Sequence, residues 1–224
     1  MERQVKRMES MSSYKAQVEK YGTPISDAQF KTLRSYAESK NIRLSGFKDY
    51  VGDIETIKLV IDDIAEIAHD FPKILDGKEG VILELDYNLG SDFATTMFGH
   101  IIHLNGGYFA DVDEMQEEYA DGVAKGRFVK GTDWRAIARH ETGHVVANLY
   151  HINPMEIAHT IRVGKSRARI LEDLEDDLSL YSAEYEDGRE IISECLSAFY
   201  SKTGNQFAEE YIGLCKEVVN NEVI

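Results

Sequence analysis

The chain has 224 residues, of which 43% are hydrophobic and 29% are charged, and its formal net charge at pH 7 is -15. This length and composition are typical of a globular protein that buries a core of its own, and they predict one main domain. The acidic balance argues against a surface that follows the phosphates of DNA or RNA, so we predict no nucleic-acid partner.

Two further classes of protein are excluded by short sequence features. Residues 1–20 are rich in charged side chains and have no apolar run, so they do not resemble a signal peptide. No stretch approaches the roughly 18 apolar residues that cross a bilayer, and we predict no membrane partner. Cys195 and Cys215 are too few for a disulfide framework. The predicted location is therefore the cytoplasm.

Residues 1–52 are predicted to form a helical N-terminal extension. Residues 3–20 carry apolar side chains among charges in a weakly amphipathic pattern that favours a helix. Ser26, with Gln29 three residues later, has the capping-box pattern and predicts the start of a second helix. Residues 41–52 contain two glycines, which predicts a loop.

The main domain, residues 53–224, is predicted to begin with the clearest helix in the sequence. After Asp53, which has the character of a helix cap, isoleucines recur at spacings of three and four residues as far as Phe71. Pro72 then ends the helix. This pattern predicts a helix with one face in the core.

Two strands and an acidic segment are predicted next. Residues 81–87 and 99–105 are apolar runs that favour strands. In the second run polar and apolar residues alternate, and we interpret it as a sheet edge along which an extended peptide aligns by backbone hydrogen bonds. The alternative is an ordinary half-exposed strand. Residues 111–131 begin with acidic residues and end with glycines, which predicts a short helix in a surface excursion.

Residues 134–150 are predicted to form a helix that contains the pattern His-Glu-x-x-His. Because an α-helix repeats about every 3.6 residues, His140 and His144 lie on one face and their imidazoles can converge on one zinc ion. Glu141 projects from the adjoining face, where we expect it to act as a general base towards a water molecule. The alternative is an ordinary helix that contains two histidines.

A zinc site needs at least a third protein ligand, and three candidates compete for that role. His151 lies seven residues after His144, one residue beyond the spacing of metzincins, so we reject it. Residues 172–177 contain five acidic side chains, among them Asp176, but such a run is typical of a solvated helix face. This acidic run stays as an alternative.

The third candidate is the pair Glu190 and Glu194, which lie one helical turn apart beside an apolar stripe that includes Ile191 and Cys195. Two carboxylates at the border of a buried face cost free energy unless a positive group is nearby. A zinc ion with its imidazoles provides that charge, with Glu190 as the ligand and Glu194 accepting a hydrogen bond from a ligand imidazole. The alternative is a pair of exposed glutamates on an amphipathic helix.

Together these motifs resemble a known group of enzymes. The pattern His-Glu-x-x-His at residues 140–144, followed by Glu190-x-x-x-Glu194, resembles the gluzincins, in which a glutamate on a second helix is the third zinc ligand. Residues 80–220 look more narrowly like the anthrax lethal factor type of domain and like metallopeptidase-like domains found with phage head morphogenesis proteins. The resemblance implies an α+β zincin-like fold, with a small sheet packed on the active-site helix and additional helices.

The activity implied by this resemblance is zinc-dependent hydrolysis of peptide bonds, with a peptide or protein as the substrate. The resemblance also implies a tyrosine ahead of the ligand glutamate that stabilises the oxyanion. Tyr181 stands nine residues before Glu190 in the preferred Ser-x-Tyr context, and Tyr185, the alternative, stands five residues before it.

Two other functions stay open at this point. A phage structural or assembly module can keep a zincin fold without peptidase activity, and a toxin or effector can apply the same chemistry to a host protein. The resemblance therefore implies a phage or host protein as a partner. It also implies a location in the bacterial host cytoplasm or in association with a virion.

Overall fold

The computed structural model describes residues 20–76 and 80–222, so the helix predicted for residues 3–20 lies almost wholly outside the described residues. The α-helices are α1 Asp27–Ser39, α2 Ile54–Asp70, α3 Gly106–Ala110, α4 Val112–Ala124, α5 Ala136–Leu149, α6 Pro154–Ile161, α7 Arg167–Asp177, α8 Ile191–Tyr200 and α9 Gln206–Glu222. The strands are β1 Arg43–Ser45, β2 Ile82–Asp86, β3 Ala94–Met97 and β4 Ile101–Asn105. The predicted α+β class is confirmed.

The four strands form one sheet in the order β1-β2-β4-β3. Strands β1, β2 and β4 run parallel, and β3 runs antiparallel to β4. The strands predicted at 81–87 and 99–105 are confirmed as β2 and β4. The interpretation of 99–105 as a sheet edge is wrong, because β4 lies between β2 and β3. The edge strands are β1 and β3, and β3 pairs with β4. The four residues of β3 carry no alternation that the sequence reveals.

Residues 27–52 pack into the same core as the rest of the chain. Leu33 and Ala37 of α1 are fully buried, and the predicted loop at 41–52 contains β1, which pairs with β2. The predicted boundary after residue 52 therefore cuts through packed structure. A strand of three residues is too short for its periodicity to be recognised, which explains why β1 was missed.

Both predicted helix starts in this region are confirmed. The Ser26 hydroxyl accepts the Gln29 N–H, and the Gln29 side chain accepts the Ser26 N–H, as in a capping box. The Asp53 carboxylate accepts the N–H of Glu55 at the start of α2. The isoleucines of α2, among them Ile61, are buried in the core. Helix α2 is therefore the central core helix that its spacing predicted.

The segment predicted as a surface excursion is also part of the core. Met115 and Tyr119 on one face of α4 are buried. The Tyr119 ring stacks on the ring of Phe128 with a centroid distance of 4.7 Å. The acidic side chains of the segment are exposed, as its composition predicted, so only one face of the predicted helix packs into the core.

A buried ion cluster joins α2 to the helix that carries the His-Glu-x-x-His pattern. The Asp63 side chain is 0% exposed and accepts hydrogen bonds from Arg135 Nη2 at 2.6 Å and from Arg139 Nη2 at 2.7 Å. A buried carboxylate stays ionised at low cost only when its charge is paired in this way. Because Arg139 directly precedes His140, the cluster positions the start of the predicted zinc helix.

Among the residues that the structure describes, none of the helices combines the length and the apolar character needed to cross a bilayer.

We expect Asp63→Ala to lower the free energy of unfolding by about 3–5 kcal/mol, because it leaves the buried Arg139 charge without its partner. Urea denaturation at pH 7 measures the change. Asp62→Ala on the same helix is the control, since the half-exposed Asp62 pairs with Lys40 at 3.6 Å and accepts a hydrogen bond from Tyr36 at 2.6 Å. The loss of these partly exposed contacts costs about 1–2 kcal/mol. Equal losses in the two variants would contradict the structural role of the cluster.

Candidate metal centre

The site lies where α5 packs against the start of α8. Gly143, the second variable residue of the His-Glu-x-x-His pattern, makes the close approach possible. A Cβ atom at Gly143 would lie 2.5 Å from the Cα atom of Ser193, well inside van der Waals contact. The absence of a side chain at Gly143 therefore lets the α8 backbone come close enough to bring Glu190 against the histidines of α5.

Three side chains converge at this contact. Glu190 Oε2 lies 3.1 Å from His140 Nε2 and 3.2 Å from His144 Nε2. These are hydrogen-bond distances, yet Glu190 Oε2 is buried and no donor is directed at it. The two imidazoles and this carboxylate oxygen therefore lie within 4.8 Å of one another, and neither imidazole forms a hydrogen bond to Glu190 Oε2. Among the described residues, this is the one group of histidine, cysteine and acidic side chains with the proximity of a metal-ligand set.

The spacing of these atoms fits zinc. Zinc binds imidazole nitrogen and carboxylate oxygen at about 2.0–2.1 Å in tetrahedral geometry, which separates neighbouring ligand atoms by about 3.3 Å. The two distances from Glu190 Oε2, 3.1 Å and 3.2 Å, agree with this value. Two imidazoles and one carboxylate also form the donor set of a zinc site that keeps a fourth position for water or substrate.

Glu194 contacts the opposite edge of the His140 ring. Its Oε1 atom lies 2.8 Å from His140 Nδ1. When Nδ1 carries the proton and donates it to the carboxylate, the lone pair of Nε2 is left free for a metal ion. Glu194 therefore occupies the supporting position predicted for it, one helical turn beyond Glu190.

The electrostatic field of the site favours a cation. Burial opposes a charged His140, but the neighbouring carboxylates of Glu190 and Glu194 outweigh burial and raise its pKa to about 10. Burial also opposes ionisation of Glu190, but His140 and His144 lower the pKa of this carboxyl to about 2. The two shifts are the two sides of one attraction: the carboxylates favour a charged imidazole, and the imidazoles favour ionised carboxylates.

Glu141 is buried beside the ligand group and contacts the edge strand. The Thr96 hydroxyl on β3 lies 2.7 Å from Glu141 Oε2 and 3.0 Å from the Glu141 backbone oxygen, and it is the donor to both. Sequence reasoning missed Thr96, because a threonine in an unrecognised strand gives no signal of its own. The contact fixes the predicted general base to the sheet.

The two candidate tyrosines differ in position. The Tyr181 ring lies 5.4 Å from the His140 ring, centroid to centroid, and 6.3 Å from the Phe128 ring. Burial, followed by the charge of Glu190, raises the pKa of Tyr181 well above its usual range, so its phenol stays protonated at neutral pH. Tyr185 is 38% exposed and stacks against an arginine outside the ligand group.

The competing ligand candidates do not join the group. In the acidic run at 172–177, Asp173 pairs with Lys165, and Asp177 pairs with Arg162. Asp176 is exposed. This run is the solvated helix face that its composition indicated.

A cavity of about 810 Å³ opens on a different part of the surface, between α2 and the ends of α8 and α9. Its lining includes His69, Asp70 and Tyr200, and none of the predicted site residues. The metal-ligand geometry, and not the size of a cavity, therefore identifies the candidate functional site.

Comparison of the chain with protein-family models, with curated proteins and with solved structures gave no match.

We expect the purified protein to contain about one zinc ion per chain, measured by elemental mass spectrometry after zinc loading and dialysis. Glu190→Ala should lose most of this zinc, because the ion then has only two protein ligands. Asp176→Ala, which removes an exposed carboxylate from the acidic run, should keep it. A wild-type protein without zinc, or equal losses in both variants, would contradict the assignment of the site.

Proposed function

We propose that this chain is a zinc-dependent peptidase of zincin-like fold, in which His140, His144 and Glu190 hold the metal ion. The observation that carries the proposal is the convergence of these three ligand atoms beside Glu141, which projects from the same helix. Two imidazoles, a carboxylate and an adjacent free glutamate are the donor set and the base of gluzincin chemistry. The proposal rests on these residues and agrees with the resemblance stated above.

Each side chain then has a distinct chemical task. A zinc ion bound here would act as a Lewis acid that makes water a better nucleophile and polarises the peptide carbonyl. Glu141, fixed by Thr96, accepts the proton of the attacking water and returns it to the leaving amine. The protonated phenol of Tyr181 donates a hydrogen bond to the oxyanion that develops on the carbonyl oxygen.

In the described part of the chain β3 is an edge strand, and this position favours an extended peptide as the substrate. The N–H of Asn105 donates to the carbonyl of Phe93 at 2.9 Å, which fixes the hydrogen-bonding phase between β3 and β4. In an antiparallel pair, residues whose backbone groups bond to the partner strand alternate with residues whose backbone groups point away from it. Because Phe93 bonds to β4, the backbone groups of Ala94 and Thr96 point away from β4. A substrate strand that pairs with these groups passes Glu141, because the Thr96 side chain contacts that residue.

The proposal includes a peptide or protein as substrate and a phage or host protein as its source. The net charge of -15 gives no support to a nucleic-acid substrate. A phage assembly module without activity and a toxin directed at a host protein are the alternatives. The experiments below separate the first alternative from a peptidase, because an inactive module binds zinc without cleaving peptides.

We expect the zinc-loaded protein to cleave members of a mixed peptide library, scored by mass spectrometry, and Glu141→Gln to lower kcat/KM by about 10²–10⁴. Zinc content and thermal stability should stay at the wild-type level, because Glu141 is not a ligand. Glu175→Gln is the matched control, since Glu175 is an exposed glutamate on α7. If the wild type and Glu141→Gln cleave equally well, Glu141 is not the base.

The choice between the two tyrosines is tested with Tyr181→Phe and Tyr185→Phe. We expect Tyr181→Phe to lower kcat by about 10²–10³ with little change in KM, because the lost hydrogen bond forms mainly in the transition state. Tyr185→Phe should leave both constants near wild type. The same peptide is used for all three proteins. A larger loss of kcat in Tyr185→Phe than in Tyr181→Phe would assign the role of oxyanion donor to Tyr185.

A further inference from the structure

We propose that Ser179 is a positioning residue of the metal centre, and this inference rests on the zinc site proposed above. The buried Ser179 hydroxyl orients Glu194, and through Glu194 it orients the His140 ring. The same residue anchors the turn that presents Tyr181. One side chain thus connects the orientation of a metal ligand to the placement of the proposed oxyanion donor.

Two consecutive hydrogen bonds connect Ser179 to His140 through Glu194. Ser179 Oγ donates to Glu194 Oε2 at 2.6 Å, and Glu194 Oε1 lies 2.8 Å from His140 Nδ1. Each carboxylate oxygen therefore has one partner. Ser179 and Glu194 are each 2% exposed, so water does not replace the hydroxyl easily. When the Ser179 hydroxyl is removed, Glu194 Oε2 is left buried with no hydrogen-bond donor. The Glu194 carboxylate then loses one of the contacts that restrict its rotation.

Ser179 also stabilises the turn that follows it. The Ser179 hydroxyl accepts a hydrogen bond from the N–H of Ser182 at 3.1 Å, and the Ser179 carbonyl accepts one from the Ser182 hydroxyl at 2.6 Å. Tyr181 lies inside this closed turn, and its own N–H donates to the carbonyl of Arg127 at 3.2 Å. The Ser179 oxygen therefore belongs to the turn and to the support of Glu194 at the same time.

A second buried serine provides a matched control. Ser193 is 0% exposed and lies directly before Glu194 on α8, but its hydroxyl has no hydrogen-bond partner. Ser193→Ala removes the same atom from the same layer of the protein without breaking a hydrogen bond. A difference between the two alanine variants therefore reports the hydrogen bonds of Ser179 rather than the loss of a buried oxygen.

The test measures zinc affinity, so it needs no substrate. Zinc is titrated into the full-length metal-free proteins in competition with a chromophoric chelator. We expect Ser179→Ala to weaken zinc binding by about 10-fold or more, as for other groups that support a ligand histidine. Ser193→Ala should stay within about 2-fold of wild type. In a Glu194→Ala background, Ser179→Ala should cause no further loss, because its effect passes through Glu194.

The outcomes separate this inference from the proposed function. If the wild type binds zinc and Ser179→Ala binds it equally well, the positioning role is overturned while the metal site stands. If the wild type binds no zinc, both fail. If Ser179→Ala does not fold, the test uses Ser179→Thr, which keeps the hydroxyl. A zinc affinity near that of the wild type then supports the positioning role. A large loss of zinc affinity in the folded Ser179→Thr variant overturns it.

Discussion

The structure depends on burying two carboxylates, Glu190 and Glu194, against the helix that carries His140 and His144. Moving an ionised carboxylate out of water costs several kcal/mol unless hydrogen bonds and opposite charge compensate it. Here the compensation comes from imidazoles on α5 and from the Ser179 hydroxyl. A bound cation would complete it. This compensation lets the two carboxylates be buried where α5 and α8 pack together.

Three contacts outside the ligand group keep α5 in one position. The Asp63 cluster holds its first turn through Arg139, and Thr96 on the edge strand holds Glu141. Gly143 lets α8 approach the middle of the helix. These contacts come from distant parts of the chain and act on one short stretch of the helix, between Arg139 and Gly143. A metal site that is fixed from several sides keeps its geometry through a reaction, which is the condition for efficient electrostatic catalysis.

The proposed chemistry also depends on the short segment between α7 and α8. Tyr181 contacts the face of the His140 ring, while Glu194 contacts its edge. Ser179 belongs to the turn of Tyr181 and to the hydrogen bond of Glu194. A change in this segment therefore affects His140, the proposed metal ligand, and Tyr181, the proposed oxyanion donor, together.

The sequence by itself determined what depends on local geometry or on the cost of burial. Two histidines four residues apart share a helix face wherever that helix lies, and two glutamates beside an apolar stripe need a positive partner when that face is buried. The structure brings His140, His144, Glu190 and Glu194 together. Only the tertiary structure decided which strand is the edge, that Thr96 contacts Glu141 and that Asp63 pairs with Arg139. Such contacts join residues far apart in the chain, and no local periodicity encodes them.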